Sequence, residues 1–295
     1  NATIRTTPPG SPIRRMPDRL LVYQALWAMD GVSVPSSSLR EKFDRIKAAG
    51  FDGVGIDLGA LTLDEARDTI PEFRRTGLRG GLTAFPQSVE DLRPALALAR
   101  QIRAPFVVVI GQEMPLHLDA MAASIRGWLA LAAEQEMPIQ FETHRNCITN
   151  DLYTTVQLLD AIPEMRLSAD LSHYVVAREM PCPVTPWLQQ LVTRVLQRSD
   201  SFQGRIASRS QIQIALDFAP SQKWIALFKQ WWLEGFRSWR ERHSSDATPL
   251  VFLCELGPPD YAITDACGAE LSDRWAEALL LAQWARELWR NSHRD

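Results

Sequence analysis

Three acidic residues each close an apolar run in the second half of the chain. They are Glu142 in Pro138-Ile-Gln-Phe-Glu-Thr-His-Arg145, Asp170 in Arg166-Leu-Ser-Ala-Asp-Leu-Ser-His173, and Glu255 in Leu250-Val-Phe-Leu-Cys-Glu-Leu-Gly-Pro258. If the three runs are neighbouring parallel strands of a closed barrel, their carboxylates converge at the carboxyl-end mouth, where such barrels carry active sites. Carboxylates crowded together repel one another and resist ionisation. A hard divalent cation, which takes oxygen ligands, resolves that conflict. Gln24, Trp27, Asp57 and Gln112 also fall at or just past strand ends, where they line the same mouth or serve as ordinary packing.

The elements that must position these acids follow from hydrophobic periodicity. From Leu20 onward, short apolar runs alternate with longer amphipathic segments, the rhythm of repeated strand-helix units. Strands are expected at Leu20–Trp27, Phe51–Leu58, Leu78–Ala84, Phe106–Gly111, Ile139–Thr143, Arg166–Asp170, Ser201–Ile206 and Leu250–Glu255. Helices are expected at Ser37–Ala49, Thr62–Arg75, Val89–Arg103, Leu118–Glu136, Asp151–Ile162, Pro186–Arg198, Gln222–Arg242 and Ala269–Arg290. Ser36 or Ser37 can cap the first and Gly50 ends it; Thr62 with Glu65 forms a capping box for the second; Asp151 can cap the fifth. Eight alternations predict an α/β fold, a single (β/α)8 TIM barrel over residues 19–295. The prolines between Asn1 and Asp18 predict an extended N-terminal arm over residues 1–18. No GxGxxG follows the first strand, so a dinucleotide site has no support.

Bulk properties narrow the function. The 295 residues are 46% hydrophobic with a formal charge of -3, which suits one well-covered core and argues against a nucleic-acid binder. Cys147, Cys182, Cys254 and Cys267 show no metal-knuckle spacing and read as reduced thiols. No apolar stretch approaches a membrane span, and no secretion signal is evident, so a cytoplasmic protein without membrane partners is expected. In the helix expected at Gln222–Arg242, Trp224, Phe228, Trp231, Trp232, Phe236 and Trp239 lie near helical spacing. They form either a core stripe or the contact of a homodimer. Trp275, Trp284 and Trp289 in the last helix carry the same two readings.

Four motifs in order carry a family resemblance: Glu142-Thr-His-Arg, Asp170-Leu-Ser-His, Phe202-Gln-Gly-Arg-Ile with Gln213 beyond it, and Cys254-Glu-Leu-Gly-Pro-Pro. Together they resemble the xylose isomerase-like barrel superfamily, and within it the sugar phosphate isomerase/epimerase group. The segment Ala25-Leu-Trp-Ala-Met-Asp30 is similar to the first-strand motif of that group. The resemblance implies a divalent ion held by Glu142, Asp170, Gln203 and Glu255, with Gln203 standing where the family has histidine. A glutamine carbonyl suits Mn2+ or Mg2+ better than Zn2+ or Co2+. The departure leaves a harder metal, a weakened site or no catalytic metal as readings.

The resemblance further implies that Glu142 and Glu255 act as catalytic base and acid on the carbon beside a carbonyl. His173, Arg205, Arg209, His144 and Trp27 are its expected substrate-binding residues. The substrate it implies is a small sugar or related polyol, placing the protein in carbohydrate metabolism. An inosose dehydratase-like lyase shares the first step, and a non-catalytic sugar-binding descendant is a further alternative, for which Gln203 is the best evidence. A repair nuclease on this barrel needs histidines from the early strands, and none of the five histidines lies there. Loops after the strands would select the sugar, with Val175–Thr185 a candidate lid.

Overall fold

A computed structural model of the protein describes residues 20–32, 38–244 and 248–293. The arm expected over residues 1–18 and the caps expected at Ser36 or Ser37 lie outside them. Eight parallel strands close a barrel in chain order: β1 (Leu20–Ala25), β2 (Gly53–Asp57), β3 (Arg79–Ala84), β4 (Val107–Val109), β5 (Ile139–Glu142), β6 (Leu167–Ala169), β7 (Ser199–Gly204) and β8 (Leu250–Cys254). β8 pairs with β1 from Leu20↔Leu250 to Gln24↔Cys254. Outside run α1 (Leu39–Ala48), α2 (Leu63–Arg67), α3 (Ile70–Thr76), α4 (Arg93–Gln101), α5 (Leu118–Glu134), α6 (Leu152–Ala161), α7 (Leu171–Ala177), α8 (Pro186–Leu196), α9 (Gln222–Arg242) and α10 (Arg274–Asn291). All eight expected strands form, most of them trimmed at the ends.

Three local differences from the sequence expectation have physical causes. The helix expected at Thr62–Arg75 is two helices, because Pro71 lacks an amide hydrogen and sits at the start of α3. Ser38, not an earlier serine, accepts the Glu41 amide and completes a capping box with it. The last helix starts at Arg274 because Asp273 caps it through the Trp275 and Ala276 amides.

Two apolar layers follow from strand alternation. Tyr23, Phe106, Val108 and Val251, with Leu21 and Leu253, fill the barrel interior. Gly53 makes room for this plug, since a Cβ there would lie 2.4 Å from the Tyr23 ring. The second layer packs between strands and helices. The six aromatic residues of α9 belong to it: all are buried, and Trp232 and Phe236 set their rings against Phe252 at 5.0 and 6.2 Å. Their burial makes them part of the barrel-wall core. Trp289 is also buried, while Trp275 and Trp284 are partly so. The four cysteines are unpaired. No helix among the described residues is long and apolar enough to cross a membrane.

Candidate active site

Directly above the apolar plug, the inward face turns polar. Glu142 ends β5, Asp170 follows β6, Gln203 lies in β7 and Glu255 follows β8. One oxygen each from Glu142, Asp170 and Glu255 lie within 4.8 Å of one another. All four side chains are buried.

Each acid is held by named neighbours. Asp170 caps α7, its Oδ1 accepting the Ser172 amide at 2.9 Å and the Ser172 hydroxyl at 2.5 Å. Its Oδ2 has no hydrogen-bond partner among the described residues, although His173 Nε2 and Arg205 Nε stand 3.4 and 3.7 Å away. Glu255 Oε1 accepts the Trp27 indole N–H at 3.1 Å, and its Oε2 pairs with Arg205 Nη2 at 3.0 Å. Arg205 is further fixed by donating Nε–H to the Glu255 carbonyl and by the Tyr261 ring 4.6 Å from its guanidinium. Gln203 donates Nε2 to Glu142 Oε2 at 3.2 Å and to Ser168 Oγ at 3.3 Å, leaving Oε1 unpartnered. Thr149 donates to the Glu142 carbonyl and Thr143 to the Asp170 carbonyl, tying the strand ends in place.

The buried carboxyls act on one another's protonation. Burial first, then the charges of Glu255 and Asp170, push the Glu142 carboxyl well above the usual carboxylate range. Burial likewise raises Glu255 to about 7, against the opposing pull of Arg205. Asp170 goes the other way: burial works to raise it, but His173, Arg205 and Ser172 together hold it below the usual range. Burial lowers His144 to about 3 and also lowers His173, so both imidazoles are neutral near pH 7. Their ring centroids are 4.0 Å apart. Three converging carboxylates, an unpartnered Asp170 oxygen and an unpartnered amide oxygen on Gln203 fit a hard divalent cation. Because Nε2 is the atom that meets Glu142, turning the Gln203 amide end for end, an exchange that shape alone permits, would bring its oxygen to that position.

Above the acids opens a cleft of about 270 Å³. Trp27, Phe85 and Tyr261 give it aromatic walls, and Asp57, His144 and Arg205 add polar ones. A wider groove of about 620 Å³ lies along α8 and α9 on the outer helix layer and reaches none of the strand-end acids.

The structure thus brings Trp27, Glu142, His144, Arg205 and Glu255 into one cleft, with Asp170, His173 and Gln203 beneath or beside them. His173 is almost fully covered, with neither ring nitrogen hydrogen-bonded. Arg209 departs from expectation: it is exposed and reaches Glu179 at 3.5 Å, because the chain has already left the barrel mouth after Arg205. Gln24 is buried and donates to the Ala25 carbonyl, while Gln112 donates to the Asn146 carbonyl. The Arg145 guanidinium lies 5.6 Å from the centre of the Tyr261 ring. The lid segment expected at Val175–Thr185 begins inside α7. Phe85 and Tyr261 were not foreseen individually, since a loop aromatic carries no spacing signal of its own.

No protein-family model matches the chain, and neither does any curated protein. Solved structures do. A D-allulose 3-epimerase from Methylomonas sp., in complex with D-allulose, superposes over 94% of this chain and 98% of that one at 14% identity and a TM-score of 0.56. A xylose isomerase-like TIM barrel protein from Mycobacterium smegmatis, in complex with magnesium, covers 91% and 97% at 14% identity and a TM-score of 0.57. A probable 3-DHS dehydratase from Bacillus anthracis covers 93% and 100% at 15% identity and a TM-score of 0.52. At these identities the likeness establishes the architecture: the chain has the fold of the xylose isomerase-like TIM barrels.

Proposed function

We propose that the protein is a divalent-metal-dependent isomerase or epimerase of a small sugar or related polyol, working by proton removal next to a carbonyl. The observation that carries this reading is the set of three strand-end carboxylates within 4.8 Å of one another beneath an aromatic-walled cleft. Epimerases and a probable dehydratase built on the same fold support it.

Glu142, Asp170 and Glu255, with Gln203 after an amide turn, would hold the ion. The chemistry a bound divalent ion supplies in such a site is Lewis-acid polarisation of a carbonyl. The chain's own residues do the rest. Glu142 and Glu255 would flank the reacting carbon, one removing its proton and the other returning it. Arg205 keeps positive charge beside the developing enediolate, since Glu255 and Asp170 hold its proton against the effect of burial. Neutral His144 donates Nδ1–H to the Arg145 carbonyl, which leaves Nε2 able to accept from a substrate hydroxyl. Trp27 fixes one Glu255 oxygen, and the aromatic walls shed water and face sugar C–H groups.

A panel of keto- and aldo-sugars in deuterated water with Mn2+ supplied tests this reading. Deuterium gained at the carbon next to the carbonyl without loss of water is the expected result. Loss of water would identify the lyase instead. Saturated metal with no exchange on any sugar would leave only a binding role.

A further inference from the structure

The chemistry above leaves unused a fourth carboxylate in the cleft. Asp57 ends β2, is half-buried, and lines the cleft with Trp27, Phe85 and Tyr261. Its Oδ1 accepts the amide hydrogens of Gly59 at 2.6 Å and Ala60 at 3.2 Å. No described residue hydrogen-bonds its Oδ2. The turn is closed tightly around this side chain, for a Cβ on Gly59 would lie 2.9 Å from Asp57 Oδ1 and 2.9 Å from the Phe85 ring. The charge of Asp57 also reaches the two proton-transferring glutamates, raising both. Arg205 is the sole cation among the residues that line the cleft, and Glu255 and Asp170 already engage it.

The turn alone does not require a carboxylate, since an asparagine oxygen accepts the same two amides. Burial raises the Asp57 carboxyl and the Gly59 and Ala60 amides pull it back, but both bond Oδ1, so Oδ2 gains most from a further donor. A sugar hydroxyl is such a donor, and its bond to a carboxylate is charge-assisted. A phosphate or carboxylate in that place would meet like charge, and the one cation lining the cleft, Arg205, is already engaged by Glu255 and Asp170. We propose that Asp57 is a specificity-determining residue, whose free oxygen accepts a hydroxyl of an uncharged polyol and rejects substrates that carry an anionic group there. This rests on the preceding reading only in taking the cleft as the substrate site.

The test is Asp57→Asn, which keeps the turn acceptor and removes the charge. Binding of D-allulose and D-allulose 6-phosphate to the full chain with Mn2+ is measured by calorimetry. The wild type is expected to prefer the neutral sugar by about 100-fold, the scale of a like-charge clash. In D57N the sugar is expected to weaken by about 10-fold and the ester to tighten by about 10-fold, so that the preference collapses. Asp57→Ser, a second neutral variant with a turn acceptor, must collapse it too. An unchanged preference in these variants, a wild type that favours the ester, or no binding of either probe by any of the proteins overturns the proposal. Deuterium exchange separates the two readings: selective binding without exchange removes the isomerase and leaves Asp57 standing, while exchange without selectivity does the reverse.

Discussion

The two halves of the barrel present different chemistry at the same height. β5 to β8 deliver Glu142, Asp170, Gln203 and Glu255, all buried and knitted together by Arg205, Ser172 and Ser168. β1 to β4 deliver Trp27, Asp57, Phe85 and Ile110, which wall the cleft and share far fewer bonds. The polar half works only as a unit, because removing one member leaves the others buried and unmatched. The aromatic half offers shape, and shape tolerates graded change. Chemistry and recognition are therefore expected to fail separately.

The largest contrast comes from one substitution in each half. Glu255→Gln is expected to lower deuterium exchange by about 10³-fold with the fold intact, as loss of a general acid or base does. Trp27→Phe, which removes the indole bond to Glu255 and trims the aromatic wall but keeps a ring there, is expected to cost about 10-fold, in line with loss of one hydrogen bond to a charged group. Equal losses would erase the distinction between the halves.

Gln203 is the member of the polar half that departs from the carboxylate pattern. Gln203→His is expected to tighten Zn2+ or Co2+ binding by about 10-fold or more relative to Mg2+, because imidazole is the better donor for those ions. Metal titration of the two proteins measures this, and an unchanged preference would remove Gln203 from the ion's surroundings.

A smaller effect concerns stability. Glu142 and Glu255 have folded-state values above the unfolded range, so their contribution to stability is present below about pH 4.5 and is lost as pH rises through about 7 for Glu255. Asp170 works in the opposite sense, losing its contribution only in strong acid. The chelated protein is therefore expected to melt at lower temperature near pH 8 than near pH 5, and Mn2+ is expected to cancel most of that fall. A melting temperature indifferent to both would mean that the acids are not in conflict.

The polar half was also the legible half. Glu142, Asp170 and Glu255 each follow an apolar run, and that position alone places a carboxylate at a barrel mouth. Helix α7 escaped notice because Asp170 both ends the β6 segment and caps α7, leaving no turn residues to mark the change. β7 begins at Ser199 rather than Ser201, since Ser199 and Asp200 do not resemble strand residues, yet both are paired or covered. Tyr261 was hidden for a different reason: it reaches the cleft from the loop after β8, where the Pro258 carbonyl accepts its amide at 2.7 Å, and such loop geometry has no periodicity to read. Arg209 shows the converse, a plausible spacing that the path of the chain does not honour.

The most direct measurement is a crystal structure of the protein soaked with Mn2+, located by its anomalous scattering. A single ion with Glu142, Asp170 and Glu255 oxygens all at about 2.1–2.4 Å is the predicted result. An ion bound elsewhere, or Arg205 still seated among the acids with no ion between them at saturating Mn2+, would contradict it.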